Sequence, residues 1–282
     1  ASGVITVTTG AWTVSGNWDT SGVGSTYTQG TGIVTFDATA SITMLAADNT
    51  FDDLTVSVGT ATINTNLVIT NALALSGGTY AKGTTTLSVG SLTMSGGDMT
   101  STSGSVTVSG AVNISNAASA IDFGSETWTV SGTWTNASTD GTVWEAGTGT
   151  ILFDSATGGI MTFAGANLTE AEFNHLTFNS TGGTAQTFTM ATRSLRIAGT
   201  LTVTDSTSTT TLDTANLNLQ ANNVECGTNG IILIGTGDFV GLVTFNIDGS
   251  LTMDTIVVGN MYMNRTAGTG TIDITLWTAW AV

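Results

Sequence analysis

The chain has 282 residues, room for one large domain or two ordinary ones, and only 9% of them are charged. Its net charge is −16, with four basic residues in all: Lys82, Arg193, Arg196 and Arg265. So few cations cannot neutralise a run of phosphates or hold an anionic membrane surface, which argues against nucleic acid as a partner and against a peripheral membrane role.

In chain order, the first element is Val4-Ile5-Thr6-Val7-Thr8, an alternating strand. Next come Trp12-Thr13-Val14-Ser15-Gly16-Asn17-Trp18, Gly30-Thr31-Gly32-Ile33-Val34-Thr35-Phe36-Asp37, Phe51-Asp52-Asp53-Leu54-Thr55-Val56 and Leu67-Val68-Ile69-Thr70-Asn71-Ala72-Leu73-Ala74-Leu75. Leu87-Ser88-Val89-Gly90-Ser91-Leu92-Thr93-Met94 and Val106-Thr107-Val108-Ser109-Gly110-Ala111-Val112-Asn113-Ile114 share one form. It is apolar-x-apolar, a small turn, then apolar-x-apolar, and it returns about every 20 residues.

The longer series then recurs. Trp128-Thr129-Val130-Ser131-Gly132-Thr133-Trp134 repeats the first tryptophan segment, and Gly147-Thr148-Gly149-Thr150-Ile151-Leu152-Phe153-Asp154 repeats the glycine-rich one. Phe173-Asn174-His175-Leu176-Thr177-Phe178 and Leu195-Arg196-Ile197-Ala198-Gly199-Thr200-Leu201-Thr202-Val203 complete the second copy. The interval between copies lengthens along the match, which places insertions in loops of the second copy. Segment 167–173, with Glu170 and Glu172, is the best helical candidate and reads as a loop with one turn. The short form reappears at 217–219 and 251–253, and 274–282 is an apolar terminal strand.

Alternation sends Val, Ile, Leu or Phe to one side of each strand and Thr or Ser to the other. A coil of ~20 residues cannot bury its apolar side alone, but stacked coils line up a continuous core. The expected fold is therefore all-β, a β-solenoid (β-helix) carrying two longer homologous repeats. Three regions are expected: 1–126, a continuous second region 127–215, and C-terminal coils 216–282. No apolar run approaches the ~18–20 residues of a bilayer helix, so membrane insertion is not expected.

The Gly-Thr-Gly-x-x-x-Phe-Asp run, the Asn49-Thr50-Phe51-Asp52-Asp53-Leu54-Thr55-Val56 run and the apolar coils that follow resemble the β-solenoid repeats of prokaryotic surface proteins. These include adhesins, sheath-like coats and other secreted repeat proteins. The resemblance covers about residues 10–205. It implies an extracellular location and attachment or assembly, with no catalytic residue to carry over.

Chemistry is sparse. The single Cys226 excludes an internal disulfide and a multi-cysteine zinc site, and reads as a buried thiol. His175, the only histidine, lacks a nearby second ligand and reads as structural. No nucleophile elbow, phosphate loop, dinucleotide fingerprint or zinc spacing is present. Asp52 and Asp53 are consecutive on a strand and diverge, as do Arg193 and Arg196, so no enzyme is expected and no cofactor is called for. Turn carboxylates Asp19, Asp37, Asp140 and Asp154 leave structural calcium open, with solvated surface acids as the plainer reading. Sequons mark Asn113, Asn136, Asn167, Asn179 and Asn264 as acceptors for N-glycans. The paired tryptophans Trp12/Trp18 and Trp128/Trp134 read as core filling or coil capping, with a sugar-stacking platform as the alternative.

A solenoid has two open ends, and neither terminus carries an evident cap. Val4, Ile5 and Val7 at one end and Ile274, Leu276, Trp277, Trp280 and Val282 at the other are the expected assembly residues. The functional expectation is a self-assembling extracellular filament, tube or sheath subunit. A stalk or binding segment of a surface adhesin, for carbohydrate or cell attachment, and, more remotely, a polysaccharide-acting β-helix enzyme stay open beside it.

Overall fold

In the computed structural model the chain winds as a β-solenoid. The structure describes residues 3–116, 119–137, 144–163, 173–205, 207–247, 250–264 and 272–276, beyond residue 234 as backbone only. Every regular element among the described residues is a strand. Strands of neighbouring coils pair in parallel, and coils recur roughly 22 residues apart.

Like strands of successive coils stack into faces. One face runs from 67–69 through 87–89, Val106–Val108, Thr127–Val130, Thr150–Phe153 and His175–Asn179. A second begins at Ala11–Val14 and passes through Ile33–Phe36, Asp53–Val56, 73–75, 92–94, Val112–Ile114, Trp134–Asn136 and Gly159–Phe163. It continues through Gln186–Ala191, Thr210–Asp213, 230–233 and 250–253 to Ile272–Leu276. The third is a seven-stranded sheet from Trp18–Asp19 through Ala40–Thr43, Thr60–Ile63, Thr79–Gly83, Asp98–Ser101 and Ile121–Asp122 to Trp144–Glu145. These stacks cross the expected region boundaries at 126/127 and 215/216 without interruption.

Alternation decides what is inside. On the second face Val34, Leu54, Leu73, Leu92, Val112, Trp134 and Met161 stand in register and are all buried. Each buried side chain of this size contributes about 1.5–3 kcal/mol relative to exposure. Between them, in register on the outside, stand Thr13, Thr35, Thr55, Ala74, Thr93, Asn113, Thr135 and Thr162. Coils approach closely at their bends: a Cβ on Gly90, midway along Leu87–Met94, would lie 2.3 Å from the Asn71 carbonyl oxygen. Gly147 combines a φ of +59° with backbone 2.0 Å from where its Cβ would be.

The two sequence copies keep the same internal packing. Trp12, Val34, Leu54 and Leu73 form one row, and their counterparts Trp128, Ile151, Leu176 and Leu201 form another. Trp18 lies 6.5 Å from Phe36 and 5.5 Å from Phe51, as Trp134 lies 6.0 Å from Phe153 and 5.7 Å from Phe173. Ser15 donates to Asp37 at 2.6 Å, and Ser131 donates to Asp154 at 2.6 Å. The rows nevertheless lie on different faces. The Trp12 row leads through Leu92 and Val112 to Trp134, whereas Trp128 continues the row of Leu67, Leu87 and Val106. The second copy is turned by one face about the solenoid axis.

Candidate functional site

The first coil is where the packing is incomplete. Ala11–Val14 pairs only with Ile33–Phe36, and Trp18–Asp19 only with Ala40–Thr43, so the opposite edges of both strands have no strand partner among the described residues. The consequence falls on Trp12. It is 38% exposed, while every other described residue of its row, Val34 to Met161, is at most 3% exposed. The second copy supplies the control: Trp128 occupies the same place in the motif but has Val106 of the preceding coil in register and the Phe123 ring at 5.1 Å. It is fully buried. One preceding coil makes the difference.

Around Trp12 the end is apolar and weakly charged. Val4 is 74% exposed, Ile5 and Val14 are part-buried against the core, and Val7 is buried. Val7 is closed over by the glycine-rich turn, with the Gly32 backbone packed against it, so it offers no surface to a partner. One layer in, Trp18, Tyr27 and Phe51 form an aromatic floor, with Trp18 edge-on to Tyr27 at 5.5 Å and Tyr27 at 5.7 Å from Phe51. Burial, and secondarily the charge of Asp52, pushes the Tyr27 phenol up to about 12. At the other end Ile274 and Leu276 lie in Ile272–Leu276, paired with Met253 and Thr255. Trp277, Trp280 and Val282 lie outside the described residues.

A second cluster was not anticipated. Lys82 and Glu126 form an ion pair at 3.3 Å with both side chains essentially inaccessible. The ammonium also donates to the backbone oxygens of Thr85 at 2.5 Å, Ser103 at 2.7 Å and Gly104 at 3.2 Å. The carboxylate accepts from the Ser101 hydroxyl and, at 3.1 Å, from Trp128 Nε1. Burial pushes the lysine down and the glutamate up, and the hydrogen bonds and mutual charge of the pair oppose both shifts. The cluster ties three successive coils at one corner. Its sequence signal is alternation: Tyr80 and Lys82 share one side of their strand, and Glu126, Trp128 and Val130 share one side of theirs. The polar atoms of both side chains are engaged by the protein, and the side chains are essentially inaccessible.

The remaining candidates do not converge. His175 accepts the Thr200 backbone N–H at 3.1 Å and packs against Gly199. Asp53 accepts from Asn71 and from the Ala72 backbone, Asp19 from Ser21, and Asp37 and Asp154 from their serines. Asp140 lies outside the described residues. No three His, Cys, Asp or Glu side chains gather into a metal-binding group among the described residues. Cys226 is buried. Of the sequons, Asn113 is exposed and Asn179 half-buried. Asn136 is 2% exposed, on the inward row with Trp134, which leaves no room for a glycan on the folded chain. Asn167 lies outside the described residues, and Asn264 ends strand Ser250–Asn264.

The chain matches no protein-family model, no curated protein and no solved structure.

Proposed function

We propose that this chain is an extracellular structural subunit that assembles head-to-tail into a filament, tube or sheath on a prokaryotic cell surface. The observation that carries the reading is Trp12, inward in its row yet 38% exposed, with no coil beneath it among the described residues. Covering that indole with a coil of the kind that covers Trp128 contributes about 2 kcal/mol, from burial of roughly 100 Å² of apolar surface. The strand edges beside it add parallel backbone hydrogen bonds, the pairing that joins every coil inside the molecule.

Parallel stacking is heterologous: one end binds the other, and the contact propagates. The location rests on the resemblance to secreted surface repeats.

Sedimentation velocity over a wide range of concentration tests the reading. Mass should grow with concentration beyond dimers, and Trp12→Glu should raise the concentration needed at least tenfold while the circular dichroism stays that of a β-protein. Monomers at every concentration would reject self-assembly. Monomers that also bind a glycan array would assign the adhesin stalk instead.

A further inference from the structure

We infer that the second face is the polymerisation column: strand Ile272–Leu276 of one copy stacks in parallel on strand Ala11–Val14 of a second copy, with Thr275 opposite Thr13 and Asp273 opposite Ala11. The inference rests on the assembly reading above and specifies its contact.

Among the described residues, the second face is the one face that runs unbroken from the first coil to the last strand. Ala11–Val14 has a single neighbour, Ile33–Phe36, and Ile272–Leu276 has a single neighbour, Ser250–Asn264. The two strands are therefore the opposite free edges of one stack, with the same direction. An edge of this kind is completed by parallel addition of its opposite edge, and a second copy of the stack presents one in the same direction.

The register follows by tracing rows. Trp12 leads through Val34, Leu54, Leu73, Leu92, Val112 and Trp134 to Met161. The row one residue earlier starts at Ala11 and reaches Ile160, and from there Thr189, Asp213, Leu233, Thr252 and Asp273. Continuing that row into a second copy sets Asp273 opposite Ala11. It then sets Ile274 opposite Trp12, Thr275 opposite Thr13 and Leu276 opposite Val14. Apolar residues meet apolar residues, as Val106 meets Trp128 and Val112 meets Trp134 inside the chain. A slip of one residue would set Trp12 against Asp273 or Thr275, and would exchange the core and solvent sides of the strand.

Ile272–Leu276 is already a rung of its own solenoid. Donating it to another copy would sacrifice that pairing, so the contact is stacking of complete coils and not strand donation.

Engineered disulfides read the register. In a Cys226→Ala background, Thr13→Cys with Thr275→Cys, and separately Ala11→Cys with Asp273→Cys, place thiols directly opposite across the contact. In-register Cα atoms of adjacent strands are about 5 Å apart, within disulfide reach, whereas a two-residue offset gives about 8 Å, outside it. Thr13→Cys with Asp273→Cys is that offset pair. Mild oxidation should give a ladder of covalent multimers from both in-register pairs, and at least tenfold less from the offset pair. Polymers in sedimentation with no ladder from either in-register pair, or with a stronger ladder from the offset pair, overturn the contact and leave the assembly reading standing. Absence of polymers overturns the assembly reading itself, and the contact with it.

Discussion

Trp12 and Trp134 stand at two points of one row on the second face, although the sequence repeat pairs Trp12 with Trp128. Position in a solenoid is set by cumulative coil length, not by motif identity. The 116 residues from Trp12 to Trp128 fall one face short of a whole number of coils. The motif therefore meets two environments in one molecule, closed around Trp128 and open around Trp12.

That contrast separates folding from assembly. Trp134→Ala removes a fully buried indole and should cost about 3–5 kcal/mol, read as a shift in the urea midpoint. Trp12→Ala should cost the isolated chain about 1 kcal/mol or less, because its surroundings are already half open, and should show its main effect on polymer formation.

The buried Lys82–Glu126 pair gives a second expectation. Lys82→Met leaves a carboxylate buried without its cation and should destabilise by about 3–5 kcal/mol. Adding Glu126→Gln to that variant removes the orphaned charge and should restore at least half of the loss in chemical denaturation. A double variant no more stable than Lys82→Met would mean that the backbone cradle, not the charge, carries the effect.

Asp205 makes stability depend on acid. Burial alone would raise its carboxyl, but hydrogen bonds from Thr207 and Ser208 outweigh it and hold the group at about 2. A folded-state value below the unfolded one contributes stability that is present above about pH 4 and lost as pH falls toward 2. The melting-temperature gap between the native chain and Asp205→Asn should be constant above pH 5 and close progressively between pH 4 and pH 2.

Backbone geometry supplies a further pair of tests. Thr192 holds a φ of 81°, a conformation that costs a β-branched residue about 1–2 kcal/mol. Thr192→Gly should therefore raise the melting temperature by a few degrees. Gly147→Ala should lower it by more than that, since the added carbon would meet the Gly124 carbonyl at 2.0 Å in addition to the unfavourable φ of +59°. Equal effects of opposite sign would show that φ alone matters at both sites.

The fold was legible because its signals are local and repeated. Alternation in Leu87–Met94 and the recurrence of the tryptophan motif each report which side of a strand is buried, and stacking needs little else. The same alternation places Lys82, Glu126 and Asn136 inside, although Asn136 was read by residue type as a sequon and Lys82 only as one of four cations. Val7 was misjudged for a different reason. Its burial depends on the Gly30 to Gly32 turn folding back over it, a contact between residues of successive coils that no local pattern records. Trp12 and Trp128 were given one reading, core filling or coil capping, because their motifs are identical in form; only the coil beneath Trp128 among the described residues distinguishes the two.

Fibre diffraction from aligned polymers tests the central claim most directly. Head-to-tail stacking keeps the strands perpendicular to the polymer axis and carries the inter-strand spacing along it, so the ~4.8 Å reflection should lie on the meridian. A ~4.8 Å reflection on the equator, from solenoids lying across the axis, would contradict end-to-end stacking, and so would a preparation in which no polymer forms.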